Sequence, residues 1–154
     1  MSSLSSLLLV ALAIVSFYSV STVVVTYTAT FEPCVQGLTC PEGNPSRFNH
    51  TFALNGTLSP NVSLQVGDAL RFDLQTDVPI HPLTICRNSP IPKFCQDANG
   101  TDVLNIPITK AGESTVAIFT RPGTFFYGCN YHPGMGAFVN VTRPSSLHKL
   151  FKHV

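Results

Sequence analysis

Between Val23 and Thr142 the chain is cut into short alternating runs, none long enough for a helix. Val23–Phe31, Thr51–Leu54, Ser63–Val66, Ala69–Leu74, His81–Cys86, Val103–Ile108, Ser114–Thr120, Thr124–Cys129 and Gly136–Thr142 are rich in β-branched and aromatic residues. Turn residues separate them, as at Gly67-Asp68 and Arg121-Pro122-Gly123. Period-two runs bounded by Gly, Pro and Asn are the mark of strands, and many short ones at this spacing predict a sandwich. The expected fold is therefore all-β: a two-sheet antiparallel Greek-key sandwich of about eight strands. In such a fold the loops collect at the two ends, where sites are usually built.

At 154 residues the chain is of one-domain length. Only 11% of residues are charged, so a packed core is expected rather than disorder. Residues 22–142 hold six Lys/Arg and eight Asp/Glu, a balance of −2, and Arg143, Lys149 and Lys152 restore +1. No basic face of the kind that nucleic acid requires is encoded. Residues 143–154 read as a short basic tail.

Residues 1–21 read as an export signal. Leu4 to Phe17 is apolar apart from serines, and Ser19 and Ser21 stand at the −3 and −1 places of a cleavage site. No basic residue precedes the run, and apolar character continues through Val25. An uncleaved anchor, with the domain held outside the cytoplasm, is the alternative. Export agrees with five Asn-x-Ser/Thr sequons, at Asn49, Asn55, Asn61, Asn99 and Asn140. It also agrees with the cysteines. Cys34 and Cys40 are close in sequence, as are Cys86 and Cys95. Four cysteines readily give two disulfides in an oxidising compartment, although sequence alone does not dictate the pairing. Cys129 is left over, and an odd cysteine in an exported chain calls for a reactive thiol, an intermolecular bridge or a metal bond.

The stretch Tyr127-Gly-Cys129-Asn-Tyr-His132-Pro-Gly-Met135-Gly-Ala-Phe138 supplies the metal reading. Cys129, His132 and Met135 recur every third residue, and His81 lies 48 residues upstream of Cys129. A thiolate and two imidazoles in a plane, with a weak axial thioether, make a type 1 copper site. Each residue alone has a plainer role, as core filler or surface histidine, and His50, His148 and His153 are read that way. Met135, however, is the only methionine besides Met1, and it falls in register with the one leftover cysteine. A loop this short, stiffened by Pro133, brings three side chains to one point. A fourth ligand must come from another strand, and His81 between Pro79 and Pro82 sits on a stiff corner suited to it.

These residues resemble the cupredoxins, the plastocyanin and amicyanin type of small blue-copper protein. The C-x-x-H-x-x-M spacing is similar to amicyanin more than to plastocyanin. Val66-Gly-Asp-Ala-Leu-Arg-Phe72 and Gly123-Thr-Phe-Phe-Tyr-Gly-Cys129 are similar as well. The resemblance covers roughly residues 50–142. It implies one copper ion, His81, Cys129 and His132 as equatorial ligands, and Met135 as the axial one. It also implies a monomeric single-electron carrier that serves a redox partner protein. Electrons would pass through the edge of His132, across a patch including Pro82, Pro133, Gly134 and Ala137. Two departures stand out. The family's Asn after the first ligand histidine, which helps tie the ligand loops together, is here Pro82. Pro133 likewise has no N–H for the thiolate. Residues 88–100 look like an insertion.

A copper enzyme is disfavoured: the chain has five histidines, no His-x-His, and none before His50. Copper storage or delivery, or a metal-free adhesion module, remain as alternatives; adhesion relatives typically lose ligands that this chain keeps.

Overall fold

The structure, a computed structural model, describes residues 22–87, Cys95 and residues 103–144. The expected export signal, the Asn99 sequon and most of the basic tail lie outside the described residues.

Among the described residues nine strands form: β1 (Val24–Pro33), β2 (His50–Leu54), β3 (Thr57–Leu58), β4 (Val62–Gln65), β5 (Ala69–Leu74), β6 (Leu83–Arg87), β7 (Ser114–Ile118), β8 (Gly123–Cys129) and β9 (Gly136–Thr142). They make a five-stranded sheet in the order β3-β2-β1-β5-β7 and a four-stranded sheet in the order β4-β9-β8-β6. The all-β sandwich expected from the sequence is the observed fold. Both sheets are mixed rather than purely antiparallel: β1 lies parallel to β5, and β4 parallel to β9. Parallel neighbours need a long crossover: the chain runs through β2, β3 and β4 between β1 and β5, and through β5 to β8 between β4 and β9. Strand periodicity carries no information on neighbour direction, so the sequence could not give it.

The alternation that defined the strands also defines the core. In β5, Leu70, Phe72 and Leu74 are fully buried, while Arg71 and Asp73 stand outward and pair with each other. They pack with Phe52, Leu54, Leu83, Ile85, Tyr127 and Val139 in one cluster between the sheets. Each fully buried side chain of this size contributes about 1.5–3 kcal/mol.

Two runs depart from expectation. Thr57–Leu58 forms an extra strand after the Asn55-Gly56 turn, in which both residues have positive φ. Val103–Ile108 is not a strand; only single bridges survive, Cys86 to Val103 and Leu83 to Ile108. Asn105 breaks the ladder. Its Oδ1 accepts from Ile85 N–H at 2.6 Å, and its Nδ2 donates to Thr115 Oγ1 at 3.1 Å. A side-chain amide here does what backbone would otherwise do.

Tyr127 shows how the sheets are pinned. Its ring is in the core, and its hydroxyl donates to the Pro60 carbonyl at 2.8 Å, on the link between β3 and β4. Burial pushes its phenol pKa well up. Tyr127→Phe removes the bond while keeping the ring, so a loss of about 1 kcal/mol is expected in urea denaturation.

Candidate metal centre

Strand register brings the candidate ligands to one end of the sandwich. Leu83 of β6 pairs with Cys129 of β8. The corner before β6 therefore sits level with the loop after β8. His81 occupies that corner, two residues before the strand rather than at its start, and its N–H donates to the Val78 carbonyl at 3.0 Å. The β8–β9 loop spans six residues between Cys129 and Gly136 and carries His132 and Met135. Glycines 128 and 136 pair across β8 and β9, which lets Cys129 N–H donate to the Met135 carbonyl at 3.2 Å.

His81, Cys129 and His132 converge. Cys129 Sγ lies 3.6 Å from His81 Nδ1 and 3.7 Å from His132 Nδ1, and the two nitrogens are 3.1 Å apart. The donor set fits a metal. At these separations a single point lies within bonding reach of all three atoms, at about 2.0–2.3 Å. His81 and Cys129 are buried and His132 is half-buried. Among the described residues, Cys129 is the one free thiol. Cys34–Cys40 and Cys86–Cys95 are the disulfides, matching the pairs close in sequence. Met135 is 1% exposed and belongs to the same core cluster as Cys129.

The electrostatics favour the two imidazoles as neutral donors and oppose ionisation of the thiol. Burial lowers the pKa of His81, and His132 and His50 nearby lower it further. Burial and the Arg47 charge lower that of His132. Both imidazoles are thus kept neutral, with lone pairs available. Burial raises the Cys129 thiol, partly offset by the backbone N–H groups of Tyr131 and His132. Tyr131 N–H reaches Sγ at 3.3 Å. The sulfur therefore has a backbone donor within its own loop, although Pro82 and Pro133 have none.

Several site residues carried no sequence signal beyond a Pro/Gly/Cys-rich loop. The segment between β1 and β2, stapled by Cys34–Cys40, folds over the ligand loop. Its Phe48 packs against His132 at 4.4 Å between ring centroids and edge-on to His81 at 5.2 Å. Phe31 stacks on the other side of His81 at 5.0 Å and also on His50 at 5.5 Å. His50 is not a ligand in this arrangement: its Nδ1 bonds the Phe48 carbonyl at 2.5 Å. Arg47 lies over Phe48 at 4.8 Å. Aromatic flanks of this kind hold both imidazoles in orientation by packing.

The expected surface patch needs correction. Pro82, Gly134 and Ala137 are buried, and Pro133 is half-buried. The β1–β2 loop covers Gly134, and Ala137 points into the core. Around the ligands in sequence, the exposed apolar side chains are Ile80 and Tyr131 instead.

Among solved structures, the chain is similar to a reduced rusticyanin at 16% identity over 79% of this chain and 81% of that one, with a TM-score of 0.46. It is similar to rusticyanin from Thiobacillus ferrooxidans at 16% identity over 79% of each chain, with a TM-score of 0.45. A reduced Cu(I) form of an amicyanin variant matches at 24% identity over 54% of this chain and 70% of that one, with a TM-score of 0.39. No family model and no curated protein matches. The two-sheet sandwich thus carries at one end a His-Cys-His donor set whose composition suits a type 1 copper ion.

Proposed function

We propose that this chain is an exported single-electron carrier built on a type 1 copper centre. The observation that carries the proposal is the convergence of His81 Nδ1, His132 Nδ1 and Cys129 Sγ at one end of the sandwich. Bound copper would supply a one-electron Cu(II)/Cu(I) couple. His81, Cys129 and His132 would hold it as the strong donors, with the Met135 thioether as a weak one. Packing between Phe31 and Phe48 limits movement of the imidazoles, and limited movement keeps the cost of a change in oxidation state small. His132 is the more exposed imidazole and is the proposed port toward a redox partner protein. Two disulfides support an oxidising compartment. Sequons at exposed Asn49, Asn55 and Asn61 are open to glycosylation there. No helix among the described residues is long and apolar enough to cross a membrane.

The test is reconstitution of residues 22–142 with Cu(II), followed by potentiometry and stopped-flow electron exchange with a small redox protein. An intense visible charge-transfer band, a reversible potential and fast exchange are expected. Tight copper binding with no exchange would favour storage or delivery.

A further inference from the structure

The β1–β2 loop does more than cover the ligands. Asn44 on this loop is a buried polar residue, 7% exposed. Its Nδ2 donates to the Gly134 carbonyl at 2.8 Å and to the His50 carbonyl at 2.7 Å. Its Oδ1 accepts from Gln36 Nε2 at 3.0 Å, which fixes the orientation of the amide. Both amide protons are thus committed, one to the ligand loop and one to the start of β2.

Gly134 lies between His132 and Met135. It has φ of +63°, and a Cβ there would meet Asn44 N, Asn44 Cα at 2.7 Å and the Glu42 carbonyl at 2.8 Å. The ligand loop and the covering loop therefore touch backbone to backbone, with no side chain to give way. On the other side, the His50 ring stacks on Phe31, which stacks on His81. One amide is linked to His132 through the ligand loop and to His81 through a stack of rings. Pro82, beside His81, has no donor with which to tie the two ligand segments directly.

We propose that Asn44 is a positioning residue of the metal centre: its side-chain amide clamps the ligand loop at Gly134 and the start of β2 at His50, and so sets copper affinity and reduction potential. Groups that orient ligands without touching the metal typically matter by 10–100-fold in affinity. The inference rests on the copper reading above.

The experiment compares copper-loaded wild-type protein with Asn44→Ala, Gln36→Ala and Tyr127→Phe. Copper affinity by competition titration, the charge-transfer spectrum, the midpoint potential and the melting temperature are measured on each. Asn44→Ala is expected to weaken copper binding about tenfold or more and to shift both the band and the potential. Gln36→Ala, which leaves the amide in place without its orienting partner, shifts them less and in the same direction. Tyr127→Phe, which removes only the hydroxyl bonded to the Pro60 carbonyl on the β3–β4 link, lowers the melting temperature and shifts neither. If Asn44→Ala melts lower with unchanged affinity, band and potential, its role is merely structural and the proposal is overturned. If Asn44→Ala does not fold, an unchanged Gln36→Ala overturns it equally. A wild-type protein that takes up no copper defeats the copper reading and this inference with it. A blue wild type beside an unaltered Asn44→Ala defeats this inference alone.

Discussion

Cys129→Ser protein titrated with Cu(II) is expected to stay pale where the parent turns intensely coloured. The colour of a type 1 site comes from charge transfer between thiolate sulfur and Cu(II), and Cys129 is the only free thiol among the described residues. Its Sγ stands within 3.7 Å of both imidazole nitrogens. A serine hydroxyl is a hard, protonated oxygen at neutral pH and offers neither the charge nor the softness that Cu(I) prefers. His81 and His132 alone leave two strong donors, so copper affinity is expected to fall by orders of magnitude. The fold is expected to persist, because serine is nearly the size of cysteine and the surrounding sheet is complete without it. Circular dichroism checks the fold and visible absorption checks the site. An undiminished band in the folded variant would mean that the sulfur is not a ligand.

Gly136→Ala is expected to have the largest effect on stability. A Cβ at this position would collide with the Tyr127 carbonyl oxygen and stand 2.7 Å from Gly128 Cα. Both obstacles are backbone in the middle of a sheet, so no rotamer change relieves them. Overpacking a core usually costs 1–3 kcal/mol where side chains can shift; here the expected loss is at least about 3 kcal/mol. Urea denaturation measures it. The strain should also part β8 from β9, breaking the bond from Cys129 N–H to the Met135 carbonyl. A variant within about 1 kcal/mol of the parent would show that these strands can separate without cost.

How much of this was legible beforehand depended on the kind of information involved. Ala69–Leu74 and Gly136–Thr142 were readable to the residue, because their side chains alternate between core and solvent or pack between sheets. The proximity of His81, Cys129 and His132 was readable because metal-ligand chemistry restricts residue type and loop length restricts reach. Val103–Ile108 misled because alternation does not reveal that the Asn105 amide takes over the ladder. The β1–β2 loop was the most opaque. Asn44 and Phe48 within it, and Phe31 near the end of β1, act through contacts made across the fold, and nothing in their local sequence marks those contacts. The lack of a donor at Pro82 was visible in the sequence, whereas the backbone donor at Tyr131 required coordinates.

The position of β9 between β4 and β8 has a bearing on how the protein is made. Val62–Gln65 finds its parallel partner only when Val139–Thr142 is available, some 77 residues later. Contacts this distant along the chain place the domain among proteins of high contact order, which fold in milliseconds to seconds rather than microseconds. During synthesis the four-stranded sheet would wait, half built, for its central strand. The ligand loop immediately precedes that strand. Copper would therefore meet a centre that exists only once folding is nearly complete, and loading the metal becomes a late event rather than a nucleus for the fold.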